Sequence, residues 1–324
     1  MARRPLRGGT LDRMDAETVA ISGPRGSVVF GRRWSVAESR AAVVLVHGFG
    51  DHSGRQAEVV DSLLDAGIAV HAYDLRGHGR SPGRRGHIDL WDDHRDDLAA
   101  VVDAAVGLHE SPVFVLGQSL GGLIVLEYAL RRPDGLAGVV AHSPALVPTG
   151  VGNWFLAWLA RRLSASWPTF SVRVPFATEP QLGDDPRPPD PLVHGRLSAR
   201  AATEAMAAID FTRRHAGDLR VPLLIVHGTD DLIVDVSGSR RFVAEAPGDA
   251  TLLEYPGVPH DTWDAAVRAR IRADIVAWID AHLPPAPRDR AATDGTSGAA
   301  PDDTSDAAPD DTSDATSDAS RARV

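Results

Sequence analysis

Short runs of apolar, mostly β-branched residues alternate along the chain with segments of helical periodicity. The apolar runs begin at Ala42, Ile68, Val113, Leu136, Leu223 and Thr251. Helical patterns lie at about 56–66, 91–106, 123–131 and 263–282. Strands that are apolar on both faces and separated by helices are typical of a parallel sheet covered on both sides. The pattern therefore predicts an α/β fold with a mostly parallel central sheet.

Three regions depart from this alternation. Apolar segments at 19–21 and 27–30 flank Pro24-Arg25-Gly26, which predicts an antiparallel hairpin at the sheet edge. Residues 146–218 are rich in aromatic residues and proline, and we interpret them as an inserted, mainly helical cap. From 285 onward the chain consists largely of Asp, Thr, Ser, Ala and Pro, which cannot offset the entropy of ordering.

These boundaries predict five segments. They are an N-terminal extension (1–17), a first core part (18–145), the cap (146–218), a second core part (219–284) and a disordered acidic tail (285–324).

Composition excludes several function classes. The 324 residues include 44 acidic and 34 basic side chains, a net charge of -10, which argues against nucleic-acid binding and against attraction to an anionic membrane. There are 0 cysteines, which excludes a disulfide framework, a thiolate metal site and a cysteine nucleophile. We see neither a secretory signal nor about 20 consecutive apolar residues, so we expect a cytoplasmic protein. The oligomeric state stays open.

The sharpest local signal is the segment Gly117-Gln118-Ser119-Leu120-Gly121-Gly122. It follows an apolar strand and begins a helical pattern, which is the context of a nucleophile elbow. In so tight a turn, a side chain at Gly117 or Gly121 would collide with the strand or the helix. Among 30 glycines the pattern alone is weak, and a glycine-rich turn is the alternative. The candidate nucleophile is Ser119.

A serine hydroxyl needs a base, and in this context an acid and then a base follow in chain order, each just after a later strand. His260 follows the strand at 252–255, and Asp230 and Asp231 follow the strand at 223–226. We favour Asp231 as the acid, since the turn is long enough there to bring a carboxylate back over the sheet. Asp230, and more distantly Asp235, remain alternatives.

Two other histidines, His142 and His227, also end apolar strands. Neither fits the expected order, so we interpret both as framework side chains.

A tetrahedral oxyanion requires two preorganised donors. The backbone N–H of Leu120, directly after the candidate nucleophile, is one candidate. The second is the N–H of Phe49, in the glycine-containing loop His47–Ser53, where the backbone can approach the site closely. A plain strand-to-helix turn is the alternative for this loop.

Together these residues resemble the monoacylglycerol lipase and lysophospholipase group of α/β-hydrolases, from about Val28 to Leu283. Matching segments besides the elbow are His47–Ser53, Asp74–Ser81, Gly83–Gly86, Ser143–Leu146 and Asp190–Val193. The chain departs from the group at Gln118 and Leu120, where His and Met are usual, and at Asp51, where Glu is common. The cap is the least similar part, so the resemblance leaves the substrate open.

The resemblance implies an α/β-hydrolase fold, a triad acid at Asp231 and a cap that shields an acyl chain. In the cap, Trp154, Phe155 and Trp158 are candidate substrate-binding residues, because Phe155 and Trp158 fall at helical spacing and Trp154 is adjacent. Alternatively, these aromatic residues only pack the cap onto the core.

We therefore expect a serine hydrolase that cleaves carboxylic esters through an acyl-enzyme. The preferred substrate is a single-chain lipid ester such as a monoacylglycerol, with any transient membrane contact made through the cap. Water hydrolyses the acyl-enzyme, so neither a metal nor an organic cofactor is required. The alternatives are a general carboxylesterase, a serine peptidase of the same fold and a non-catalytic binding protein.

Overall fold

The structure of the chain is a computed structural model, which describes residues 16–149, 154–174 and 189–283. The side chains of 154–159 and of Arg25 also lie outside this description. The predicted tail falls outside the described residues, as does nearly all of the N-terminal extension.

Ten strands are present in the described part of the chain. They are β1 (Glu17–Ser22), β2 (Val28–Trp34), β3 (Ala41–Val46), β4 (Ile68–Tyr73), β5 (Val113–Gln118), β6 (Leu136–His142), β7 (Ser171–Arg173), β8 (Arg196–Ser198), β9 (Leu223–Gly228) and β10 (Ala250–Tyr255). Eight of them form the central sheet in the order β1-β2-β4-β3-β5-β6-β9-β10.

The central sheet is parallel from β4 to β10. At the opposite edge, β1 pairs antiparallel with β2, and β2 pairs antiparallel with β4. The predicted hairpin and the mostly parallel sheet are thus confirmed. As a result, the carboxyl ends of β3, β5, β6, β9 and β10 lie along one edge, where open α/β sheets bind their ligands.

Helices cover both faces of the sheet. They are α1 (Ala57–Asp65), α2 (Asp92–Leu108), α3 (Leu120–Arg131), α4 (Trp154–Ser166), α5 (Ala199–Arg214), α6 (Ser237–Glu245) and α7 (Ala265–Ala281). The sequence pattern anticipated α1, α2, α3 and α7, whereas α5 and α6 had not been located. None of the helices in the described ranges is long and apolar enough to cross a bilayer.

The core consists of two layers, one on each face of the central sheet, and β3 contributes to both. All six residues of β3 are buried, and alternate side chains point to opposite faces. Positions 42, 44 and 46 join the cluster that contains side chains of α2 and α3, and positions 41, 43 and 45 join the one that contains side chains of α1 and α7. Burial on both faces explains why the strand is uniformly apolar.

The inserted region contains α4, the two-stranded ribbon β7-β8 and α5. Its second half is bound to the core loops: His194 donates its backbone N–H to the carbonyl of Gly50 (2.9 Å), and Ser198 donates its own to the carbonyl of Gly86 (3.0 Å). Ala208 of α5 is buried in the core cluster beside α3. The cap boundaries at 146 and 218 stay a prediction.

Candidate active site

Ser119 lies between β5 and α3 in a strained backbone conformation. Its φ is 53° and its ψ is -112°, which costs a non-glycine residue about 1–3 kcal/mol. The conformation is held from both sides, because Ser119 donates its N–H to the carbonyl of His142 (2.9 Å) and accepts the N–H of Ala145 at its own carbonyl (3.0 Å). The strain therefore persists, since neighbouring strands and loops over-determine this turn.

The glycines of the elbow are required by close backbone approach. A Cβ at Gly117 would fall on the carbonyl of Gly121, and a Cβ at Gly121 would fall on the carbonyl of Val46 and within 2.7 Å of the carbonyl of His47. This is the collision that the sequence predicted. Because glycine has no side chain, α3 can begin directly beside the end of β3.

His260 and Asp231 are brought together at the ends of β10 and β9. His260 Nδ1 lies 2.6 Å from Asp231 Oδ2, and both residues are buried. Because a carboxylate only accepts hydrogen bonds, Nδ1 carries the proton, which leaves Nε2 of His260 as a lone-pair acceptor. The other carboxylate oxygen, Oδ1, accepts the backbone N–H groups of Ile233 (2.9 Å) and Val234 (2.8 Å).

These contacts set the charge states of the pair. Burial alone would raise the pKa of Asp231, but hydrogen bonds from His227 and His260 outweigh it and hold the pKa well below its usual range. Burial likewise opposes protonation of His260, yet the hydrogen bond and charge of Asp231 raise the pKa of His260 above its usual value. The carboxylate is thus a fixed negative charge that stabilises an imidazolium.

The two alternative carboxylates lie elsewhere. Asp230 is exposed and accepts the Thr229 hydroxyl (3.1 Å), and Asp235 is exposed and accepts the backbone N–H of Ser237 (2.7 Å). Asp231 is the one of the three that contacts His260.

Ser119 stands at the same sheet edge, but no hydrogen bond joins its hydroxyl to His260 among the described residues. Catalytic hydrogen bonds in unliganded enzymes are often long or poorly aligned and shorten when substrate binds. The role of Ser119 therefore stays a prediction.

The loop after β3 lies against the elbow. A Cβ on Gly48 would stand 3.5 Å from both the carbonyl of Gln118 and the Cβ of Ser119. Buried His47 holds this loop: its Nε2 accepts the N–H of Leu75 (2.9 Å), and its Nδ1 donates to the carbonyl of Gly48 (2.7 Å). Phe49, in this loop, and Leu120, directly after Ser119, line one cavity.

Asp74 fastens the loop after β3 to the loop after β4. Its Oδ1 accepts both the backbone N–H (2.8 Å) and the hydroxyl (2.6 Å) of Ser53, while its Oδ2 accepts the N–H of Arg80 (2.7 Å). Asp74 is fully buried, so its contacts here are structural.

His227 is a member of the site that sequence reasoning missed. Its Nε2 lies 3.2 Å from Asp231 Oδ2 and 3.1 Å from the carbonyl of Val234, and its Nδ1 accepts the hydroxyl of Ser239 (2.8 Å). It is therefore more than a framework side chain, since it supplies a second donor to the carboxylate. Its position four residues before Asp231, at the end of a strand, was the available signal.

His142 also faces this group. Burial, together with His260 and His227, lowers the pKa of His142 to about 4. The ring is therefore neutral near pH 7.

The aromatic residues predicted in the cap fall on α4. Trp154, Phe155 and Trp158 belong to this helix, as their spacing predicted, but their side chains lie outside the described part of the structure. Their assignment to substrate binding stays a prediction.

Comparison with known proteins places these observations in a family. Residues 37–264 match the family model described as serine aminopeptidase, S33. A monoacylglycerol lipase of Mycolicibacterium smegmatis is 33% identical over 254 residues, covering 76% of this chain and 90% of the relative. The monoglyceride lipase of Homo sapiens is 31% identical over 245 residues, covering 72% of this chain and 80% of the relative.

Solved structures agree with this fold. The crystal structure of the Paleococcus ferrophilus monoacylglycerol lipase superposes with a TM-score of 0.68 at 31% identity, covering 83% of this chain and all (100%) of the other. A soluble variant of the Saccharomyces cerevisiae monoglyceride lipase, solved with a substrate analogue, superposes with a TM-score of 0.71 at 23% identity, covering 86% of this chain and 99% of the other.

Proposed function

This chain belongs to the serine aminopeptidase S33 family of α/β-hydrolases and is a carboxylic ester hydrolase similar to monoacylglycerol lipases, and on that premise we propose that it hydrolyses single-chain lipid esters through a Ser119–His260–Asp231 triad. The observation that carries the proposal is the 2.6 Å contact between His260 Nδ1 and buried Asp231, at the same sheet edge as the strained Ser119.

In the first step, Ser119 Oγ attacks the ester carbonyl and His260 Nε2 takes its proton. Asp231, kept ionised, stabilises the resulting imidazolium. The backbone N–H groups of Phe49 and Leu120 stabilise the oxyanion. His260 then gives the proton to the departing alkoxide, which leaves as the alcohol while the acyl group stays on Ser119.

In the second step, water attacks the acyl-enzyme. His260 removes the proton from that water, the tetrahedral intermediate collapses, and the fatty acid leaves as Ser119 Oγ recovers its proton. Every proton moves through His260, so one base is enough for both halves of the reaction.

The cavity beside the elbow favours an ester over a peptide. None of the described residues that line it is a carboxylate, whereas a peptidase that recognises a free amino terminus needs an anion there. An apolar wall next to the reacting carbonyl suits an acyl chain.

The cap also has apolar residues on its surface. Trp167 is 59% exposed and Val172 is 49% exposed. Isolated apolar residues are ordinary on protein surfaces, but Trp is favoured at the boundary between lipid and water. We therefore also propose that this part of the cap makes transient contact with aggregated lipid.

The test is the initial rate on a series of 1-monoacylglycerols and 4-nitrophenyl esters from short to long acyl chains. Ser119→Ala should lower kcat by about 10⁴-fold or more, because the nucleophile is lost. Ser62→Ala is the matched control and should retain wild-type rates, because this serine of α1 has its hydroxyl against the carbonyl of Glu58 and the Arg272 guanidinium.

A Ser119-dependent optimum on medium or long monoacylglycerols supports the proposal. Activity restricted to the shortest esters, or to amides of amino-terminal residues, contradicts the assigned substrate. Wild-type turnover by Ser119→Ala contradicts the mechanism.

A further inference from the structure

One oxygen of the Asp231 carboxylate lies between two imidazole rings. Oδ2 is 2.6 Å from Nδ1 of His260 and 3.2 Å from Nε2 of His227. The proposed mechanism uses the ring of His260 and gives the ring of His227 no part in the reaction. His227 is 0% exposed, so its ring cannot reach a substrate and can act only through the groups that it contacts.

The ring of His227 is held at both of its nitrogens. Nε2 faces the carbonyl of Val234 (3.1 Å) as well as the carboxylate, and both groups only accept hydrogen bonds, so the proton lies on Nε2. Nδ1 is then an acceptor, and the buried hydroxyl of Ser239 on α6 donates to it at 2.8 Å. A flipped ring would place a lone pair against the carboxylate. The N–H therefore stays on the side of Asp231.

This N–H affects how the carboxylate acts on the base. A donor beside a buried carboxylate stabilises its negative charge, and it thereby weakens the attraction of that charge for the proton of a neighbouring imidazolium. The two rings on Oδ2 thus compete, and His260 binds its second proton less tightly than it would without His227. A larger fraction of His260 is then neutral at a given pH, which is the form that accepts the proton of Ser119.

The other titratable groups around His260 do not have this effect. Asp261, the next residue in the chain, raises the pKa of His260, as Asp231 does. His142, at the end of β6, has a pKa of about 4 and is uncharged near neutral pH. Neither of them opposes the pull of Asp231 on the proton of His260.

Two further carboxylates lie near His227 itself. Glu254 stands opposite His227 on β10, is exposed and is bound by Arg240. Asp235 is exposed and accepts the backbone N–H of Ser237. Both carboxylates are thus paired at the surface, whereas Asp231 is the buried carboxylate that Nε2 contacts.

We propose that His227 is a positioning residue of the triad, which shares Oδ2 of Asp231 with His260 and so limits how strongly the carboxylate holds a proton on the base. Ser239 supports this role by holding the ring of His227. The inference rests on the proposed mechanism, in which His260 is the base. Its consequence is a base that stays available at lower pH than it would beside a carboxylate with a single imidazole partner.

The acidic limb of the pH profile of kcat/KM measures this effect, because it reports the base of the free enzyme. His227→Leu in the full chain removes the N–H and keeps an apolar side chain in the site. The limb should move upward by about 0.5–1 pH unit, which is about a three- to tenfold loss of kcat/KM on the acidic side. A soluble short-chain 4-nitrophenyl ester, assayed between about pH 5 and 9, is the substrate.

Two further variants separate the role of the N–H from that of packing. His227→Gln retains an N–H donor near the position of Nε2 and should return the limb to its wild-type position. His71→Leu is the matched control, because His71 is likewise a buried histidine of the central sheet but contacts His109, and β3 lies between its strand β4 and the elbow strand β5. The limb of His71→Leu should not move.

Circular dichroism shows whether each variant is folded. If His227→Leu does not fold, His227→Asn takes its place. Its shorter amide remains beside Ser239 but is too short to reach Asp231, so the same upward movement of the limb is expected.

A limb that stays in its wild-type position without the N–H overturns the proposal, even if the rate falls equally at every pH, because such a loss shows a packing role alone. A limb that moves downward, or that His227→Gln does not restore, overturns it as well. Absence of both ester hydrolysis and fluorophosphonate labelling in the wild-type protein refutes the proposed function instead, so the two failures are distinguishable.

Discussion

At the scale of single residues, the site depends on a relay of hydrogen bonds that converge on one carboxylate. Ser239 donates to His227, His227 and His260 both donate to Asp231, and two backbone N–H groups satisfy the remaining oxygen. Such a carboxylate can neither rotate nor take up a proton near neutral pH. The imidazole that it orients is consequently held in one tautomer.

The adjacent carboxylates provide a direct test of this arrangement. We expect Asp231→Asn to lower kcat by about 10³- to 10⁴-fold, because an amide no longer holds the tautomer or stabilises the imidazolium. Asp230→Asn, one position earlier and exposed, should keep kcat within about twofold, as surface changes usually do. Steady-state measurement of kcat for both variants on one ester tests this difference. Equal losses of kcat in the two variants would contradict the assignment of Asp231 as the acid.

The raised pKa of His260 predicts the pH dependence. In the proposed mechanism His260 acts as a base only when it is neutral, so activity should be present above its pKa and be lost as the pH falls through that pKa. Because Asp231 raises this pKa, the acidic limb of kcat/KM should lie above the ordinary histidine value of about 6.5. Measurement of kcat/KM at a series of pH values between about 5 and 9 would locate this limb. A limb near pH 4, about the value of a free carboxyl, would show that another group controls the rate.

At the scale of elements, the elbow requires α3 and β3 to approach within backbone contact. Gly121→Ala should lower the free energy of unfolding by about 1–3 kcal/mol, since its Cβ would overlap the carbonyls at the end of β3. Gly107→Ala is the matched change: it lies in α2 with open space around it, so it should stabilise by about 0.5–1 kcal/mol. Urea denaturation would measure both, and an unaffected Gly121→Ala protein would refute the contact.

The elements that the sequence predicted are those whose burial is regular. β3 is buried on both faces, so its apolar run was unmistakable. α6 was missed because its nine residues include only three apolar ones and begin after an irregular turn. That same turn carries Asp231, and which of two adjacent carboxylates points back over the sheet depends on its backbone path rather than on any periodicity. The contact from His227 depends on this path as well, so it too required the structure.

At the scale of the whole molecule, the net charge of -10 leads to a prediction about the proposed action on aggregated lipid. A monoacylglycerol presented in anionic vesicles should be hydrolysed more slowly than the same substrate in zwitterionic vesicles, because like charges repel. The difference should shrink as salt rises from about 10 mM to about 0.5 M, where screening is short-ranged. A soluble short-chain ester is the control, and a salt-independent difference between the vesicles would exclude an electrostatic cause.

The bonds that join residues 194–198 to the core loops matter for engineering. His194 and Ser198 bind the carbonyls of Gly50 and Gly86, and His52 binds Asp190 at 2.8 Å, so this stretch is fastened to the loop that carries Phe49. A chimera that received a foreign cap joined to the core after residue 198 would lose these hydrogen bonds. It would therefore loosen the loop that carries Phe49, the proposed oxyanion donor, as well as change the specificity. A junction placed before Asp190 would exchange the rest of the cap and keep the hydrogen bonds that hold the loop of Phe49.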